Sequence, residues 1–166
     1  MNRALLALPL AALALSATPQ TENDFLQSLS GTWQGTGQVR LRPDANAVSV
    51  RCTLNSRTIG STLNLDGNCR AKVILSRRIG IDLHTKGLSY SGSYVGSTRG
   101  PASLSGQRSG DTLNLQVKWP GRGSDTRIAS MQLASSRPGE MRVVTIERHP
   151  RTGARIVTAS IGFSRQ

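Results

Sequence analysis

Apolar and polar residues alternate along most of this chain. Val48, Val50, Cys52 and Leu54 are separated by Ser49, Arg51 and Thr53, and Leu63, Leu65, Gly67, Cys69, Ala71 and Val73 keep the same period. A period of two is that of a strand with one buried face. Between the two runs lies Gly60-Ser61, a Gly-first pair suited to a type II′ two-residue turn. Folding about that turn sets Val48 against Val73, Val50 against Ala71 and Cys52 against Cys69, all on one face. Ile59 and Thr62 flank the turn as a hydrogen-bonded pair, which makes Cys52 and Cys69 a non-hydrogen-bonded pair. Such pairs hold their Cα atoms ~4.5 Å apart, within the range a disulfide accepts. A cross-strand structural disulfide is therefore expected.

Similar patterns recur to the end of the chain. Ser109-Gly110, read as a turn, sets Leu104 against Leu115 and Ala102 against Val117. Further strands are expected over 32–42, 79–85, 88–95, 127–134, 141–148 and 154–165. Turn chemistry separates them at Lys86-Gly87, Pro120-Gly121-Arg122-Gly123, Arg137-Pro138-Gly139 and Pro150-Arg151-Thr152-Gly153. Only 23–29 reads as helix, with Thr21 as N-cap and Asp24 in the first turn. A run of adjacent hairpins that must bury one face and hide its edges closes into a barrel. The expected fold is an all-β, antiparallel up-and-down meander barrel of about 8–10 strands with a short N-terminal helix. A β-sandwich is the alternative. The aromatic girdles and lipid-facing apolar alternation of an outer-membrane barrel are missing.

Length and composition narrow the picture. With 166 residues and no internal linker, one barrel domain over 18–166 is expected, after a leader over 1–17. Met1-Asn2-Arg3, an Ala/Leu run from Ala4 to Leu15 and small residues at Ser16-Ala17 have the pattern of a cleavable signal peptide. The run is shorter than the ~20 apolar residues that span a bilayer. No transmembrane segment is expected once it is removed. The expected location is thus the periplasm or the medium, which agrees with a paired cysteine count.

The segment Leu29-Ser30-Gly31-Thr32-Trp33-Gln34-Gly35 resembles the opening of calycin-type barrels, the lipocalin, avidin and nitrobindin-like group. In that group a short helix leads into Gly-x-Trp at the first strand. The Trp closes one end of the barrel, and an Arg near the end of the last strand packs over it. The resemblance implies a barrel-closing set of Gly31, Trp33 and Arg165. The later motifs of typical lipocalins are absent, so it implies a fold and not a lipocalin's activity.

Candidate chemistry is sparse. Asp82 and His84 share a strand face, but no serine is singled out to complete a triad. His149 precedes Pro150 in a turn, whereas the resemblance to nitrobindin-like barrels implies a haem ligand on a late strand. No metal, haem or other cofactor is expected, and no catalytic constellation; the chain reads as a non-enzyme. The net charge of +12 comes mainly from Arg, 18 against 3 Lys. Arg77 and Arg78, the adjacent pair, are the candidate anion contact. Few aromatics and an exported context argue against nucleic acid. Two functions remain: a barrel binding a small apolar or amphiphilic ligand or acting in the cell envelope on an anionic component, and a protein-interaction or inhibitor-like barrel with a protein partner.

Overall fold

The computed structural model describes residues 21–71, 75–97, 100–121 and 126–166. Among these residues one helix, α1 (Glu22–Leu29), precedes ten strands: β1 (Gly31–Val39), β2 (Val48–Ile59), β3 (Thr62–Ala71), β4 (Leu75–Lys86), β5 (Ser89–Val95), β6 (Ala102–Ser109), β7 (Thr112–Trp119), β8 (Arg127–Arg137), β9 (Glu140–Arg148) and β10 (Arg155–Arg165). Each strand pairs antiparallel with its neighbours in sequence, and β1 pairs with β10 to close the barrel. The leader expected over 1–17 lies outside the described residues, as does Val73.

The alternation read from the sequence becomes an inside and an outside. Leu63 and Leu65 of β3, Leu113, Leu115 and Val117 of β7, and Met131 and Leu133 of β8 are buried in the interior. Their neighbours Asn64, Asn114, Gln116 and Gln132 face solvent. A polar outer wall around an apolar interior is the reverse of a lipid-facing barrel. Among the described residues, no helix is long and apolar enough to cross a membrane. Glycine makes room for a side chain of the neighbouring strand: a Cβ on Gly35 would lie 2.4 Å from the Phe163 ring, which covers that glycine from β10.

The first hairpin pairs Ile59 with Thr62 and Cys52 with Cys69, and the two sulfurs are bonded with Cα atoms 4.0 Å apart. The second hairpin departs from its expected register. Ser109 pairs with Thr112, so the turn is Gly110-Asp111, and Leu104 faces Val117 instead of Leu115. The β4–β5 turn is likewise Gly87-Leu88, between Lys86 and Ser89, and not Lys86-Gly87. One physical rule explains both corrections. The first loop residue takes a positive φ, and Gly60 (+56°), Gly87 (+59°) and Gly110 (+61°) all occupy that position. The slip in the second hairpin is two residues on the facing strand, so every side chain keeps its face and only its partner changes.

Candidate functional site at the open end of the barrel

The two ends of the barrel differ. At one end α1 plugs the interior with Phe25, Leu26 and Leu29, all buried. The helix begins in a capping box: the Thr21 hydroxyl accepts from the Asp24 N–H, and the Asp24 carboxylate accepts from the Thr21 N–H. Its last-turn carbonyls, which a helix leaves without internal partners, are all engaged. The Thr58 hydroxyl donates to Leu26 O (2.9 Å), the Ser30 N–H to Gln27 O (3.1 Å), Arg165 Nη2 to Ser28 O (2.6 Å) and Trp33 Nε1 to Leu29 O (3.0 Å).

Trp33 is fully buried, and the Arg165 guanidinium lies 4.8 Å from its ring centroid. Arg165 pairs with Trp33 across β1 and β10, and its side chain passes over Gly31, whose φ is +132°. The three residues of the calycin-type motif are thus brought together at the plugged end. Glu22 fastens the other side of the helix: Arg108 Nε donates to its Oε2 at 2.7 Å, and the Tyr90 hydroxyl donates to its Oε1. Burial, and then the Glu22 carboxylate, push the Tyr90 hydroxyl pKa well above its ordinary value.

The opposite end is open to a cavity of about 180 Å³. Its apolar wall includes Val50, Leu65, Ile79, Ile81, Met131 and Ile161, and the disulfide reaches it through Cys69. Near the mouth stand Tyr94, Trp119, Arg77, Arg127 and Glu147. Tyr94 and Trp119 meet edge to face, with ring centroids 6.1 Å apart. Arg127 lies 5.0 Å from the Trp119 centroid and forms a two-pronged ion pair with Glu147, Nη2 to Oε1 at 2.6 Å and Nε to Oε2. Burial raises the Tyr94 hydroxyl pKa, and the Glu147 charge adds to the effect, while Arg127 and Arg77 oppose it.

This ion pair spans a break in the wall. The β8–β9 ladder ends at Ser130 and Ile146. Beyond that point Arg127, Ile128 and Ala129 pair only with β7, and Glu147 and Arg148 only with β10. An outer groove of about 1090 Å³ runs along the break, lined by Leu41, Arg42, Ile128, Arg148 and Arg155 together with the ion pair itself.

The other sequence candidates are dispersed. Arg77 and Arg78 occupy opposite faces of β4: Arg77 reaches the cavity, whereas Arg78 lies outside and pairs with Asp66 at 2.9 Å. They form no joint anion site, because adjacent strand residues point apart. Asp82 and His84 share the outer face, but each bonds across to β3, Asp82 to Asn64 (2.5 Å) and His84 Nδ1 to Thr62 (3.0 Å). His149 Nδ1 accepts the N–H groups of Arg151 and Thr152, so it shapes the β9–β10 turn. No group of three or more His, Cys, Asp or Glu suited to a metal exists among the described residues.

No motif in the sequence singles out Arg127, Glu147, Tyr94 or Trp119. Strand parity was the available signal, since Arg127 shares the face of Ala129 and Met131, and Glu147 that of Met141 and Val143.

No protein-family model matches this chain. None of the curated proteins is similar to it in sequence. Solved structures do share its architecture. The S-type phycobiliprotein lyase CPES of Guillardia theta matches over 88% of this chain and 93% of its own, with a TM-score of 0.59 at 10% identity. Rv2717c of M. tuberculosis matches over 85% of this chain and 94% of its own, with a TM-score of 0.62 at 14% identity. These likenesses are of fold alone: a closed antiparallel barrel similar to the calycin-type one.

Proposed function

We propose that this chain is an exported, non-enzymatic barrel that holds a small apolar or amphiphilic ligand in the cavity at its open end. The observation that carries the reading is an apolar cavity inside a barrel whose other end is plugged. Ligand sites are typically concave, largely apolar and provided with a few placed polar groups. Here Trp119, Tyr94 and the Arg127–Glu147 pair supply those groups at the mouth. Export rests on the basic start, the Ala/Leu run before Ser16-Ala17 and a disulfide that suits an oxidising compartment.

A second reading draws on the outer groove. Arg42, Arg148 and Arg155 beside the exposed Leu41 and Ile128 suit an anionic envelope component or a protein partner. Native mass spectrometry of protein purified from its own host separates the two. The cavity reading expects a retained small-molecule mass on a chain that has lost about its first 17 residues. A ligand-free mass on an intact Met1 would count against both cavity occupancy and export.

A further inference from the structure

Resting on the cavity reading, we propose that the ligand is a short-chain anionic amphiphile whose charged end sits against Arg77 at the mouth. Three arginines line the cavity. Arg127 is neutralised by Glu147, and Arg40 donates to the Ala45 carbonyl oxygen at 2.6 Å. Arg77, half-buried, has no hydrogen-bond or ion-pair partner among the described residues. A guanidinium held partly out of water without a counter-charge favours an anion, and its planar donors match a carboxylate's two oxygens.

A second group in the same layer also lacks a partner. Trp119 lines the cavity, and its buried indole Nε1 has no hydrogen-bond acceptor among the described residues. A buried donor without an acceptor is costly, so a ligand oxygen that reached it would gain more than an exposed contact offers. Arg77 and Trp119 flank Tyr94: Trp119 touches its ring, and the charge of Arg77 acts on its hydroxyl. Two unused donors thus stand around one aromatic side chain at the mouth, with apolar walls beneath.

Size limits the apolar part. A cavity of about 180 Å³ slightly exceeds the ~150 Å³ apolar cavity that accepts benzene, so it takes one ring or a chain of roughly six to eight carbons. A long acyl chain would have to leave most of its length outside.

The test uses three probes with one tail and three head charges: octanoate, 1-octanol and octylammonium, titrated calorimetrically into the mature protein at neutral pH. Octanoate should bind roughly tenfold tighter than 1-octanol, and octylammonium most weakly. Arg77→Gln should remove the advantage of octanoate while leaving 1-octanol unchanged, and Arg77→Lys should restore part of it. Thermal melts of both variants check that the barrel is intact. Equal binding of octanoate and 1-octanol overturns the anionic-head proposal but leaves the cavity reading standing. Binding of none of the three overturns the cavity reading itself.

Discussion

At the scale of single residues, the plugged end depends on Trp33. Its ring is enclosed by the helix and barrel, its N–H closes the helix C-terminus, and Arg165 covers its outer face. Trp33→Ala removes packing and a buried hydrogen bond together, so a loss of roughly 3–5 kcal/mol is expected in denaturant unfolding. Ser91→Ala, on the outer face of β5, should change stability by no more than about 0.5 kcal/mol. The tyrosines give a pH signature. Tyr90 and Tyr94 both have raised pKa values in the fold, chiefly from burial, so folding favours their neutral forms. Their contribution is fully present below the ordinary tyrosine pKa of about 10 and is lost as pH rises through and above it. Melting temperature should therefore fall steeply above about pH 10. Tyr90→Phe/Tyr94→Phe should start from a lower melting temperature and decline less over that range. A decline of the same steepness in both proteins would refute the burial argument.

At the scale of elements, the hairpins show what a sequence carries and what it leaves open. Period-two alternation assigns each side chain to a face, and β2, β3, β6 and β7 have the faces expected of them. Partner assignment is less secure because it depends on where a turn glycine sits. With Gly110 in the second loop position the β6–β7 register would differ by two residues while every face stayed the same; the chain puts it first. The calycin-type closing set could be read because it lies in one short segment and one terminal strand. The mouth could not, because Arg77, Tyr94, Trp119, Arg127 and Glu147 come from five strands that only barrel closure brings together. The Cys52–Cys69 bond yields a prediction at this scale. It joins adjacent strands across a sequence separation of 17, and the chain-entropy model assigns a loop of that size about 3 kcal/mol. The Cys52→Ser/Cys69→Ser variant should keep the β-rich circular dichroism spectrum and melt several degrees lower. A spectrum of disordered chain would make the bond a condition of folding and not a brace on it.

At the scale of the whole molecule, the barrel has a plugged end and an end with a cavity. Among the described residues, helix α1, Trp33 and Arg165 fill the first, and the cavity lies toward the second, where β8 and β9 part beside the Arg127–Glu147 pair. The polar outer wall leaves the cavity as the place where an apolar ligand is sheltered from water. The methionines provide reporters for this asymmetry. Met131 lines the cavity, whereas Met141 is buried on β9 outside its lining. With [¹³C]methyl-methionine labelling, titration of octanoate into the protein should shift the Met131 signal saturably and leave Met141 in place. A Met131 signal that does not move, or one that moves no more than Met141, would contradict a ligand site inside the open end of the barrel.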